Sequence, residues 1–236
     1  MQQRSIGEIK MTSQTRALQF VESYLKILED FGATDDALSP FIDALLCVDE
    51  TPGGNATHTL EHPLMPLLDG ALAAAEGPID LIETVNDLAG EGGFIQVYEG
   101  EGINATQADY MVGKQIVGPN GRLFNEKLRT GIFFLAPNFE YPMHNHAGLE
   151  IYYVHSGVMH VQNGVDAEPR RVGPGEYSVT PSLVPHALTI GDEPLVILYS
   201  WVGDLKSPIY WWVEEEDGSW TKTIAKDLTP LPRQNT

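Results

Sequence analysis

The sequence predicts a mainly β protein, an antiparallel sandwich or small barrel, preceded by an α-helical first third. Between Ser13 and about Leu88 the apolar residues recur at three- and four-residue intervals, the period of amphipathic helices. From Gly93 onward they gather instead in about nine short β-rich runs separated by turn residues, with no helical pattern between them. The expected organisation is a helical region over residues 1–90 and a β domain over 91–236.

In the first region Leu18, Val21, Leu25 and Leu28 line one helix face, and Gly32 supplies a stop. "TDDALSPFIDALLCV" opens with acids suited to capping, and "HPLMPLLDGALAAA" carries Pro near its start. "GPIDLIETVNDLAG" places Pro78 where a first helical residue belongs and Gly90 at the end. The β runs are "GFIQVY", "KQIVG", "RTGIFFLA", "EIYYVHSG", "VMHVQ", "EYSVT", "HALTI", "LVILYSWVG" and "IYWWV", with Asn163-Gly164 as a strong tight-turn signal. The sequence holds no internal repeat, no phosphate-cradling or dinucleotide-type Gly-rich loop and no GxSxG elbow.

Charge excludes some partners. Lys and Arg total 14 against 33 Asp and Glu, a net charge of −19 spread along the chain. Such a surface repels the phosphates of nucleic acid and of anionic membranes. The single cysteine, Cys47, lies in an apolar helical pattern and reads as a small buried hydrophobe. With no apolar stretch at the N-terminus and no run of about 18 apolar residues, the expected location is the cytoplasm. The glycosylation-type tripeptides at Asn55 and Asn104 would matter only in a secretory pathway.

The chemistry concentrates in "EYPMHNHAGLEIYYVHSG", Glu140 to Gly157. Read as one extended strand, alternation puts His144, His146, Glu150 and Tyr152 on an inward face and Tyr153 and His155 on the other. A divalent metal needs several N or O donors converging at about 2.0–2.3 Å. His144, His146 and Glu150 supply three, and His186, in a later strand after a Pro-rich turn, is the natural fourth. His58 and His62 lie in a polar linker, and His155 and His160 have no carboxylate at ligand spacing.

These residues carry a resemblance. "HNHAGLEIYYVHSG" resembles the first cupin motif at His144, His146, Glu150 and Gly157, and "GEYSVTPSLVPH" resembles the second at Gly175, Pro181 and His186. Three positions depart from the pattern: Asn138 and Leu183 stand where Gly is usual, and Ile190 where Asn closes the motif. The resemblance implies a cupin, a double-stranded β-helix or jelly-roll barrel, behind the N-terminal α-helical part. With Tyr141 before the histidines and Tyr152 after the Glu, the chain is similar to the cupin dimethylsulfoniopropionate lyases of marine bacteria, the DddL- and DddQ-type enzymes.

That resemblance implies one divalent transition metal ion, for which Zn, Fe, Mn, Co or Ni would all suit, held by His146, Glu150 and His186 with His144 and Tyr152 in or beside its coordination sphere. It implies Tyr152 as catalytic base, Tyr141 as a substrate-positioning or assisting residue, dimethylsulfoniopropionate as the small-molecule substrate, and a homodimer, since cupins often pair. The reaction would be a β-elimination releasing dimethyl sulfide and acrylate. A phenol with an ordinary pKa of about 10 becomes a usable base beside a cation. A permanent sulfonium suits aromatic faces; alternation places Tyr199 and Trp201 on one face, and the resemblance favours Trp201 as a pocket wall, with Tyr210, Trp211 and Trp212 behind it. Another cupin enzyme, a dioxygenase or isomerase, and a metal-binding cupin without turnover are the alternatives. An isomerase of anionic sugars would want a basic cluster, and Lys127, Arg129, Arg170 and Arg171 form none in sequence.

Overall fold

The computed structural model describes residues 12–53 and 60–225; Asn55 and His58 lie outside them. Helix α1 (Ser13–Gly32) starts where the Thr12 hydroxyl accepts from the Thr15 N–H at 3.1 Å. It buries Ala17, Phe20, Val21, Tyr24, Ile27 and Leu28, while Leu18 and Leu25 are half-buried. The buried stripe is thus rotated from the all-aliphatic one toward Phe20 and Tyr24, whose rings have the most area to hide. Helix α2 (Ser39–Leu46) follows a short 3-10 turn capped by Asp35, as the acids there suggest. Helices α3 (Leu68–Ala73) and α4 (Ile79–Gly90) complete the helical layer, with Pro78 at the N-cap of α4 rather than inside it. Cys47 is exposed, against expectation: it falls at the C-cap of α2, past the Phe41 and Leu45 stripe.

Two six-stranded antiparallel sheets form the rest. The strands are β1 (Ile95–Gln96), β2 (Met111–Val117), β3 (Leu128–Leu135), β4 (Glu140–Asn145), β5 (Leu149–Ser156), β6 (Met159–Asn163), β7 (Arg170–Val172), β8 (Tyr177–Thr180), β9 (His186–Ile190), β10 (Leu195–Val202), β11 (Ile209–Glu214) and β12 (Trp220–Ala225), with helix α5 (Ile103–Gln107) after β1. One sheet runs β1-β2-β3-β10-β5-β8 and the other β12-β11-β4-β9-β6-β7. Strands β4, β7, β12 and helix α5 were not among the elements expected. Strand β4 carries Pro142 and polar residues, β7 has three residues, and β12 is an edge strand with four consecutive exposed residues, so none shows a β-rich apolar run.

Helices α2 and α3 pack on β10 and β5 of the first sheet. Strand β10 is therefore buried on both faces, which explains its almost wholly apolar sequence "LVILYSWV", broken by the buried Ser200 alone. Its alternate residues face the barrel interior or the helices. Tyr153 and His155 of β5 lie on the helix side, where the Tyr153 ring meets Tyr24 of α1 at 6.2 Å. Lys114 of β2 reaches into the same layer, donating to the carbonyl of Leu88 and, at 2.7 Å, to that of Gly92 at the end of α4. Burial lowers its ammonium pKa to about 8.

Two turns shape the barrel end. The segment from His144 to Tyr152 is not one strand: β4 ends at Asn145, and a turn through Gly148 carries the chain from the second sheet into β5 of the first. That turn is pinned by the turn before β9: Asn145 Nδ2 donates to the Leu183 carbonyl at 2.7 Å, the Leu183 N–H to the His146 carbonyl at 2.9 Å, and Ser182 Oγ to the Ala147 carbonyl at 2.7 Å. Asn138 and Leu183, which replace the motif glycines, are the two non-Gly residues with positive φ among those described, at 56° and 65°. The sequence departs from the cupin pattern while the backbone keeps the left-handed conformation that glycine would take. Gly157 keeps its motif identity for a steric reason as well, since a Cβ there would stand 2.5 Å from the Pro194 carbonyl oxygen.

Candidate metal centre

His144 at the end of β4 pairs across the sheet with His186 at the start of β9, and His146 follows in the turn between the sheets. Glu150 enters from β5, on the other sheet. All four side chains are buried. Donor atoms of His144, His146 and His186 lie within 4.8 Å of one another, and Glu150 Oε2 lies 3.0 Å from His146 Nε2 and 3.2 Å from His186 Nε2. The site residues expected from alternation are brought together, although the two halves of the set come from opposite sheets.

The histidines are oriented alike. Nδ1 of His144 meets the Pro142 carbonyl at 2.8 Å, Nδ1 of His146 the Gly148 carbonyl at 3.0 Å, and Nδ1 of His186 the Val184 carbonyl at 3.1 Å. A carbonyl only accepts, so each Nδ1 carries a proton and each Nε2 points into the site, free to ligate when it carries none. The buried Nε2 of His144 has no hydrogen-bond partner among the described residues. An Nε2 that faces a carboxylate oxygen needs a cation between the two, a proton or a shared metal ion, and donors of one ion at about 2.1 Å stand roughly 3 to 3.5 Å apart. The donor set therefore fits a divalent metal ion. Burial would raise the Glu150 carboxyl pKa, but positive charge on His146 and His186 holds it below the usual carboxylate range, a part that a bound metal ion would take over. Burial and the neighbouring His186 and His146 keep His144 well below its ordinary value, hence neutral and able to ligate.

Around this set the aromatics close in. Trp201 stacks on His146 at 4.1 Å and donates its indole N–H to Glu150 Oε1; Tyr199 lies beside it on the same inner face, stacked on Phe133 at 3.9 Å. The Tyr141 ring lies 4.3 Å from the His144 ring. Tyr152, fully buried, stands across from Ser178, with its ring 6.4 Å from that of His186. Burial, and then the charge of the Glu150 carboxylate, push the Tyr152 pKa well above the ordinary phenol value. Trp211 lies 5.7 Å from the His144 ring, while Tyr210 and Trp212 face away from this interior and meet Lys222 on the outer side of β11. Arg129, paired with Trp201 across β3 and β10, holds its guanidinium 6.0 Å from that ring.

Sequence reasoning missed Tyr98, whose hydroxyl hydrogen-bonds that of Tyr141 from a loop 43 residues earlier. No spacing rule links the two. It also left His62 in a polar linker, whereas its ring is buried between the Ala108 carbonyl at 2.9 Å and the Leu64 N–H at 3.3 Å.

A two-sheet barrel closing three imidazoles and a carboxylate around one point defines a cupin with a candidate metal site. The family model for dimethylsulfoniopropionate lyase matches residues 42–197, and the chain belongs to that family. The lyase DddQ of Ruegeria pomeroyi is 31% identical over 121 residues, covering 50% of this chain and 59% of that protein, so the chain spans about three fifths of the curated relative. The crystal structure of DddQ from Ruegeria pomeroyi DSS-3 superposes with a TM-score of 0.62 at 21% identity, covering 82% of this chain and 94% of that one. A structure described with the dimethylsulfoniopropionate lyases RdDddP and RnDddQII gives 0.61 at 19% identity, over 84% and 98% of the two chains. At these identities the structural matches establish the cupin fold.

Proposed function

We propose that the chain is a metal-dependent lyase cleaving dimethylsulfoniopropionate by β-elimination to dimethyl sulfide and acrylate. The observation that carries the reading is Tyr152, buried on the inner face two residues from Glu150, with its ring 6.4 Å from that of His186 and beside three convergent histidines. His144, His146, Glu150 and His186 would hold one divalent transition metal ion, of the Zn, Fe, Mn, Co or Ni group. When bound, that ion supplies a Lewis acid that draws charge from the substrate carboxylate and favours the Tyr152 phenolate.

The protein's own groups do the rest. Tyr152 Oη takes the proton from the carbon next to the carboxylate. The C–H electron pair becomes the new C=C bond as the C–S pair leaves with dimethyl sulfide, which discharges the sulfonium and leaves acrylate. Tyr141 orients the substrate from the His144 side. Trp201 and Tyr199 wall the sulfonium end with π faces and exclude water.

The test is to mix metal-loaded protein with dimethylsulfoniopropionate and measure dimethyl sulfide in the headspace. No gas above a boiled control would refute the lyase reading and leave a metal-binding cupin of other function. His146→Ala and His186→Ala should each lose metal and turnover together.

A further inference from the structure

Tyr98 belongs to no barrel strand. It sits in the loop between β1 and α5, yet it is buried and reaches the Tyr141 hydroxyl. Its ring rests on Trp211 at 5.2 Å; the Trp211 indole N–H donates to Asn104 Oδ1 at 2.8 Å; and Asn104 Nδ2 donates to the carbonyl of Glu99, the residue next to Tyr98, at 3.2 Å. The Tyr98 carbonyl accepts from Gln96 Nε2 at 2.8 Å. This circuit of contacts fixes the phenol from behind, so its hydroxyl has one place to go. The Tyr141 ring in turn lies 4.3 Å from that of His144, so the hydroxyl pair stands at the edge of the histidine set.

The direction of the hydroxyl pair follows from satisfaction. Neither phenol has another hydrogen-bond partner among the described residues beyond this contact. If Tyr141 donated to Tyr98, the Tyr98 proton would be left unpaired in a corner of aromatic carbon, the costly arrangement for a buried donor. If Tyr98 donates, its one proton is used, and the Tyr141 O–H is free on the side of His144 and the metal set. The geometry points to Tyr98 as a positioning residue that holds Tyr141 as a hydrogen-bond donor to an anionic oxygen in the metal site, the carboxylate of the substrate or the enolate it becomes. This rests on the lyase reading for the identity of that oxygen, not for the contact itself.

Tyr98→Phe keeps the ring on Trp211 and removes only the hydroxyl. It should retain full metal content and lower kcat by about tenfold, as a donor displaced by a fraction of an ångström does, against about a hundredfold for Tyr141→Phe. In the Tyr141→Phe background the Tyr98 change should move kcat/KM by less than about twofold, because its effect runs through the missing hydroxyl. Multiplying losses in the double variant would overturn the proposal. A second cycle of the same four proteins reads the urea midpoint without substrate, where non-additive shifts are expected and additive ones would overturn the contact. If the loaded wild-type chain releases no dimethyl sulfide, the lyase reading falls and the unfolding cycle alone decides Tyr98.

Discussion

His155 offers a sharp test of the helix–sheet layer. It is fully buried on the helix-facing side of β5, and neither ring nitrogen has a hydrogen-bond partner among the described residues. Burial lowers its pKa from the ordinary 6.5 to about 4. As pH falls below 6.5 the unfolded chain takes up a proton that the folded chain refuses until about pH 4, so stability is present above the unfolded value and lost across that window. At 1.36 kcal/mol per unit, and allowing for the rounded ends of the titration, the loss from this one group is about 2 kcal/mol by pH 5. His155→Leu fills a similar volume without a titrating group. Urea unfolding at pH 7.5 and pH 5.0 should show the wild-type chain losing about 2 kcal/mol more than the variant across that interval. The variant should be no less stable at pH 7.5, because it removes two unsatisfied nitrogens. Taking the difference between the two proteins cancels the acid sensitivity of the metal site, which both share. Equal losses in the two proteins would show that His155 is solvated or paired, and would refute the reasoning.

Three other outcomes follow from geometry already described. Tyr152→Phe should keep its metal, by elemental analysis, while kcat falls by about 10³-fold; Tyr153→Phe, on the helix side of the same strand, should leave turnover intact. Lys114→Met should destabilise the fold by about 2 kcal/mol in urea titrations, because the Leu88 and Gly92 carbonyls at the end of α4 lose their donor. Leu183→Gly should raise stability by roughly 0.5 kcal/mol, the left-handed strain of a Leu outweighing the extra freedom glycine gives the unfolded chain.

How far sequence reasoning reached depends on where the information lies. The cluster of His144, His146 and Glu150 was legible because HxH and the Glu sit within seven residues and strand alternation is a strict local rule, and His186 was reached through the Pro-rich turn before its strand. The break between β4 and β5 was not, since alternation gives the same face assignment whether the chain runs straight or turns at a small-residue step. The inward direction survived while the sheet membership changed. Cys47 was misplaced because a helical period says nothing about which residue is the last in the helix. Tyr98 and the burial of His155 lay beyond reach for a common reason: each is set by a partner far away in sequence, and their own neighbours look ordinary. Asn138 and Leu183 show the converse, where side chains that break a motif leave the backbone path intact.

Because the candidate ligands come from both sheets, His144 and His186 from one and Glu150 from the other, a bound ion would act as a rivet through the barrel end. Whatever affinity the site has for its metal is then also an affinity between the two halves of the fold. Binding to the folded chain adds RT ln(1 + [M]/Kd) to stability, felt first at the turn through Gly148 and the Leu183 turn that pins it. The supply of such an ion would then set how much of the chain stays folded.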